Sequence, residues 1–392
     1  MTITDVVAIA LSYPLAQPMA DAIHYIPSRL ALLVQVHTDE GITGLGEAAA
    51  YSAAPSVLAA VVQEELRPIL VGEDPFRVER LWQQMYARTH QHGRRGAVLM
   101  AMSGVDIALW DIIGQATRTP LYRLLGAYRD EVRAYASGGF YAEGKGPAEL
   151  AREMAGYAAA GFTHVKMKVG RNPEAMLNPL PDMPEPGFAT CPLEEDVRRV
   201  HAVREAIGPD VRLMIDANNA WTPSTALTVM RELERDNIYW FEEPVNTDDL
   251  VGSALVAHNL AVPVAGYETE VGVYGFRDLI VAGAVDIVQP DVIWSGGITE
   301  CRRIAALATA YRLPCIPHVF SSAVSLVANL HFIASLPNGV LLEFDRNPNP
   351  LRTELFEEPI EIDKRGYVAL PQRPGLGVTV NMRTVEKYRV PV

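Results

Sequence analysis

From residue 212 onward the chain repeats one pattern: a short apolar run ends in a polar or ionisable residue, and the next such end follows about 25 residues later. The ends are Asp216, Glu242, Glu268, Asp291, His318 and Glu343, at intervals of 26, 26, 23, 27 and 25. One strand, one amphipathic helix and two short loops fill such an interval, which is the unit of a parallel (β/α) barrel. Eight runs suit the strand role: VRAYAS, HVKMKV, RLMID, YWFEE, VPVAG, DIVQP, CIPH and VLLEF. The C-terminal strand ends of a barrel converge on one mouth, so these side chains face one another across a pocket. Strands often end in polar residues where they meet water, but six such ends in register are more than that habit produces.

Ahead of the barrel pattern, residues 30–47 read LALLVQVHTDEGITGLGE, two alternating runs about the Asp39-Glu40-Gly41 turn. This predicts a hairpin, and with the first apolar run a small antiparallel meander. Helical spacing of apolar residues then runs from 55 to 125 and breaks at Gly126. The expected organisation is an α+β capping domain over 1–128, a barrel over 129–370, and a C-terminal return over 371–392 that packs on the cap. Segment 171–192 carries six prolines and breaks the spacing, which predicts a long loop over the mouth.

With 34 basic and 47 acidic residues the net charge is −13, a field that repels nucleic acid and anionic membrane. No uninterrupted apolar run reaches the roughly 18 residues of a membrane span. The first residues, MTITDVVAIALSYPLAQPM, lack a basic leader and read as a strand. Cys191, Cys301 and Cys315 form no C-x-x-C pair, which suits a reducing, cytoplasmic setting. Gly44–Ala49, GLGEAA, lacks the third glycine of a dinucleotide loop, and His90 and His92 have no further ligands nearby in sequence.

Three carboxylates at successive strand ends, Asp216, Glu242 and Glu268, cannot all stay ionised at close range without a cation, and an oxygen-only donor set favours Mg²⁺. Glu243 and Glu270 are rivals; strand alternation turns Glu243 away if Glu242 points inward, while Glu270 shares the parity of Glu268. Lys166 and Lys168, two apart on a strand, share the interior face, where each depresses the pKa of the other and makes Lys168 a base. Asp291 and His318 end neighbouring strands and form an oriented acid/base pair. Glu343, lacking a cationic neighbour in this reading, stays protonated and donates to a substrate oxygen.

These residues resemble the enolase superfamily, and within it the mandelate racemase/muconate lactonizing enzyme family and its mandelate racemase subgroup. The likeness covers nearly the whole chain: K-x-K at Lys166 and Lys168, D-A-N at Asp216–Asn218, E-E-P at Glu242–Pro244, Glu268, Q-P-D at Gln289–Asp291, P-H at Pro317–His318 and L-E-F at Leu342–Phe344. The resemblance implies a (β/α)7β modified TIM barrel under an α+β cap. It implies one Mg²⁺ held by Asp216, Glu242 and Glu268, and removal of the proton α to a carboxylate through an enediolate. By the same likeness Lys168 serves one face of the α-carbon and the His318/Asp291 pair the other. Lys166 and Glu343 bind the substrate carboxylate, and Asn218 contacts its α-hydroxyl or metal-side oxygen. The third-ligand segment reads AGYETE, with Tyr267 where the family pattern has glycine, so Glu268 is chosen on strand spacing. Relatives form symmetric assemblies, which implies a dimer-based homo-oligomer, up to an octamer.

Specificity in such relatives comes from cap loops, here residues 18–29 and the stretch from Glu47 to Ser52. His24, Tyr25, Arg29 and Tyr51 supply hydrogen-bonding groups suited to a polyhydroxylated acid, although Arg29 serves equally as a structural ion pair and Tyr25 as hinge packing. The leading expectation is a hydro-lyase that dehydrates an aldonate or aldarate to a 2-keto-3-deoxy acid, with His318 as the acid. Racemisation or epimerisation of a 2-hydroxy acid is the alternative, and a non-catalytic binding barrel is a remote one.

Overall fold

The structure, a computed structural model, describes residues 1–176 and 187–392. Much of the proline-rich stretch, residues 177–186, therefore lies outside the described residues.

The N-terminal meander is a three-stranded antiparallel sheet of β1 (Ile3–Ala20), β2 (Tyr25–Thr38) and β3 (Thr43–Ala48), turning at Gly41. Strand pairing continues up to Ala20 and Tyr25, so the expected 18–29 loop shrinks to the tip 21–24. The helix Ala97–Ala116 crosses this sheet at close range. A Cβ on Gly46 would lie 1.9 Å from the Gly104 carbonyl oxygen, and one on Gly44 2.1 Å from that of Ala108. These glycines therefore admit a helix backbone rather than a nucleotide. Helix Ala97–Ala116 is long and apolar enough to cross a bilayer by length and composition, yet it is packed inside the protein. Its two acids are structural pins. Asp106 accepts from the Thr299 amide at 2.9 Å and hydroxyl at 2.5 Å, and Asp111 from the amides of Leu45 and Leu376 at 2.9 and 2.7 Å. The second of these ties the C-terminal return to the cap, as does Val390, which donates to Ala10 at 3.0 Å.

The second sheet runs β10-β4-β5-β6-β7-β8-β9, with β11 (Tyr367–Ala369) added antiparallel to β4. Its parallel strands are β4 (Glu131–Ser137), β5 (His164–Lys168), β6 (Arg212–Asp216), β7 (Ile238–Glu242), β8 (Val264–Gly266), β9 (Ile287–Val288) and β10 (Leu342–Asp345). The expected CIPH strand is reduced to a single bridge between Cys315 and Val288. Pro314 and Pro317 flank it, and neither has an amide to donate to a ladder. Helices separate the successive strands, which gives the (β/α)7β barrel.

Alternation sets the interior. Tyr135, Met214, Trp240, Ala265, Ile287, Ile316 and Leu341 form one buried cluster. Two residues beyond Met214, Trp240, Ile316 and Leu341 stand Asp216, Glu242, His318 and Glu343, so the period of two that fills the barrel also aims these side chains into its mouth. The intervening residues Val165, Met167, Leu213, Ile215 and Phe241 belong to the cluster under the outer helices.

Candidate active site

Register places the charged residues side by side. Lys168 pairs with Asp216 across β5 and β6, and Asp216 with Glu242 across β6 and β7. Lys166 is fully buried and bonds Glu242, lies 2.9 Å from Glu343 Oε1, and 3.6 Å from Asp216 Oδ2. Lys168 bonds Asp216 Oδ2. The remaining Asp216 oxygen accepts the Asn218 amide at 2.9 Å, where a left-handed Asn218 (φ 39°) turns the chain back on the strand end. Glu242 Oε2 accepts from Trp240 Nε1 at 3.0 Å and Gln289 Nε2 at 2.9 Å. Trp240 was missed by the sequence reading because its neighbours made it look like ordinary barrel filling.

Two expectations about protonation are corrected. Burial disfavours the lysine charges and each lysine opposes the other, but the carboxylates outweigh both: Lys166 and Lys168 are raised above the ordinary lysine value by Glu242, Glu343 and Asp216. Glu343 does have a cationic neighbour. Burial pushes its carboxyl up, Lys166 and His318 pull it down further, and it settles at about 2, ionised rather than a donor. Its Oε2 accepts the Val319 amide at 3.0 Å.

On the far side of the mouth His318 Nδ1 lies 2.9 Å from Asp291 Oδ2, and its Nε2 3.1 Å from Glu268 Oε2. Asp291 is fixed in turn by Asn329 Nδ2 and the Ile293 amide, each at 3.1 Å. Against the cost of burial, Glu268 and Asp291 raise His318 to about 10. Tyr51 Oη stands 3.3 Å from His318 Nδ1, wedged edge-on against Trp294 and Phe320.

The rival carboxylates separate. Glu270 is bound to Arg95 of the cap at 3.1 Å and to the Val271 amide, away from the strand-end group. Glu243, expected to face outward, turns in: the strand stops at Glu242, Glu243 adopts φ 44°, and alternation no longer governs it. Its buried carboxyl accepts the Glu268 amide at 2.7 Å and Asn219 Nδ2 at 2.5 Å.

The donor set can be tested for a cation. Among the described residues, five buried carboxyls, on Asp216, Glu242, Glu243, Asp291 and Glu343, and the partly buried Glu268 meet three cationic groups, on Lys166, Lys168 and His318. Asn218 Oδ1 is buried with no hydrogen-bond partner among the described residues. Among the described residues no three ligating side chains already converge on one point, but the surplus of hard oxygen donors with a spare carbonyl suits a divalent ion such as Mg²⁺.

The cap residues divide. Arg29 is buried, donates to Asp345 at 2.5 Å and stacks 3.9 Å over the Phe320 ring, with Nη1 unpartnered among the described residues. Tyr25 packs edge-on against Phe188 at 5.0 Å. Glu47, placed by the sequence in a specificity loop, is buried, bonds the hydroxyls of Ser321 and Ser322, and accepts the Ser325 amide at the start of helix Ala323–Ser335. His24 pairs with Asp21 at the hairpin tip.

A capped (β/α)7β barrel whose strand ends carry acids, lysines and an aspartate–histidine pair is the architecture of the enolase superfamily of enzymes. Residues 3–126 match the mandelate racemase/muconate lactonizing enzyme N-terminal domain, and residues 149–384 the enolase C-terminal domain-like family. The chain belongs to the mandelate racemase/muconate lactonizing enzyme family. It is 40% identical over 355 residues to an arabinonate dehydratase of Saccharolobus solfataricus, covering 91% of this chain and 89% of the relative. It is 38% identical over 401 residues to a D-galactarolactone cycloisomerase of Agrobacterium fabrum, covering all of both. A crystal structure of a racemase from Streptomyces coelicolor with bound magnesium superposes with a TM-score of 0.86 at 32% identity, over 99% of this chain and 100% of that one.

Proposed function

We propose that the protein is a Mg²⁺-dependent hydro-lyase that removes water from an aldonate or aldarate to give a 2-keto-3-deoxy acid. The observation that carries this reading is the opposition of Lys168 and the His318/Asp291 pair across a buried, oxygen-rich cluster, in a chain whose relatives include named sugar-acid dehydratases. Asp216, Glu242 and Glu268 would hold the ion, with Glu243 fixing the Glu268 backbone and Trp240 and Gln289 fixing Glu242. Bound there, Mg²⁺ supplies Lewis-acid stabilisation of the negative charge that develops on the substrate carboxylate.

The chain's own residues do the rest. Lys166 and Glu343 hold the carboxylate end of the substrate, and Asn218 Oδ1, unpartnered among the described residues, accepts from its α-hydroxyl. Lys168 acts as base on one face of the α-carbon once Asp216 is engaged elsewhere and no longer holds it charged. His318, oriented by Asp291, serves the other face. His24 and Tyr51 would meet the remainder of the substrate, Tyr51 through its contact with His318, while Arg29 and Tyr25 are spent on Asp345 and Phe188.

Proton transfer alone, as in a racemase or epimerase, is the second reading, favoured by acid/base groups on both faces. Incubation with arabinonate, D-xylonate and D-galactonate in D₂O separates the two. Keto-acid formation supports dehydration, deuterium uptake with inversion supports epimerisation, and neither refutes both. We further propose a cytoplasmic, dimer-based homo-oligomer up to an octamer. The three free, buried cysteines suit a reducing compartment, and exposed Val251, Leu255, Tyr274 and Val281 on adjacent helices suit self-association. Sedimentation velocity giving a monomer would refute the assembly.

A further inference from the structure

The tip of the β1–β2 hairpin carries a second aspartate–histidine pair. His24 Nδ1 lies 3.0 Å from Asp21 Oδ2, while Asp21 Oδ1 accepts the amides of Ile23 at 2.9 Å and His24 at 2.7 Å. One buried carboxylate thus fixes both the ring and its backbone, in the way Asp291 orients His318. The His24 side chain is 51% exposed, so among the described residues Nε2 is left to meet a ligand.

The tip is fastened over the end of β5. Ala20 and Tyr141 exchange backbone hydrogen bonds at 2.9 and 2.8 Å. Arg171 Nη1 donates to the carbonyls of Asp21 and Ala22 at 3.1 and 3.3 Å, and a Cβ on Gly170 would stand 3.1 Å from that of Ala22. Gly170 and Arg171 follow Lys168 by two and three residues, so the tip stands on the Lys168 side of the mouth. His318 faces from the other side.

We infer that His24 is a further catalytic residue, the general acid that protonates the departing β-hydroxyl, with Asp21 as its positioning residue. This rests on the dehydratase reading above. Lys168, as the free amine, takes the α-proton. The C–H electron pair first moves into the substrate carboxylate as an enediolate, which can take a solvent proton back at the α-carbon; it then collapses to the Cα–Cβ double bond as the Cβ–O bond breaks, and the oxygen leaves with its bonding pair and the Nε2 proton of His24 as water. The enol product gains a proton at Cβ from solvent and gives the keto acid. Lys168 ends as ammonium and His24 as neutral imidazole, and proton exchange with water restores both. Among the described residues Asp21 is in contact with His24, Arg171 is bonded to the tip carbonyls, and Glu268 and Lys168 act on the ring from further off. Asp21 raises its pKa most, burial opposes that, Glu268 adds and Lys168 subtracts, with a net rise that favours the acid form.

The test uses the Mg²⁺-loaded enzyme in D₂O with arabinonate, D-xylonate and D-galactonate. His24→Asn should lose about 100-fold or more in dehydration, the usual contribution of a general acid, while still washing deuterium into the α-position of recovered substrate. Asp21→Asn should lose less and move the basic limb of the rate profile to lower pH. Equal loss of exchange and dehydration, or unchanged dehydration, overturns the assignment. If the wild-type enzyme neither exchanges nor dehydrates any of the three, the dehydratase reading fails. NMR titration of the His24 ring in the full chain then still decides for the dyad: its pKa should stand above the ordinary histidine value and fall in Asp21→Asn, and a normal or depressed value overturns the proposal.

Discussion

Replacing Arg29 by methionine tests whether the cap is held to the barrel by a buried ion pair. The guanidinium is buried between Asp345 at 2.5 Å and the Phe320 ring at 3.9 Å, and methionine keeps most of the volume but none of the charge. The Asp345 carboxylate is then stranded in the interior. Breaking a buried pair from one side costs about 3–5 kcal/mol. Asp345 keeps hydrogen bonds from the Asn347 amide at 3.0 Å and side chain at 2.6 Å, which points to the lower end, about 3 kcal/mol. For domains of this size that is a fall in Tm of about 6–12 °C, measurable by scanning calorimetry. Adding Asp345→Asn removes the stranded charge, so the double variant should melt above Arg29→Met alone. A fall of less than about 2 °C, or no rescue by Asp345→Asn, would show that the pair does not carry the junction.

Asp216→Asn should abolish both turnover and its dependence on Mg²⁺, and full activity in excess chelator would contradict the site described here. Gly46→Ala drives a methyl group to 1.9 Å from the Gly104 carbonyl, so it should cost at least the ~1–3 kcal/mol of overpacking and lower soluble yield; a wild-type melting curve would mean the sheet–helix contact is looser than this. Burial raises Asp106 to about 7 and Asp111 to about 6. A carboxyl with a raised folded-state pKa binds more protons folded than unfolded, so its contribution to stability falls as pH climbs from about 4 to 7. The Tm of Asp106→Asn relative to wild type should accordingly improve across that window, and a flat difference from pH 4 to 8 would refute the assignment.

Much of the mouth was legible in the chain because two periods are written there. The 25-residue recurrence encodes strand, helix and loops, and the strand period of two aims Asp216, Glu242, His318 and Glu343 inward from the layer of Met214, Trp240, Ile316 and Leu341. Periodicity speaks only for regular backbone. It failed at Glu243, where a left-handed residue just past β7 swings a carboxyl into the site, and at Cys315, where flanking prolines leave one bridge of an expected strand.

What the sequence by itself determined was which strand-end residues, Asp216, Glu242, His318 and Glu343 among them, point into the barrel mouth, since alternation and repeat length are local properties of the chain. Tertiary structure decided their charges and partners. Whether Lys168 is depressed by Lys166 or raised by Asp216, whether Glu343 meets a cation, and whether Arg29 faces Asp345 depend on distances between residues tens to hundreds of positions apart. Electrostatic interaction falls with distance in space and takes no account of separation along the chain.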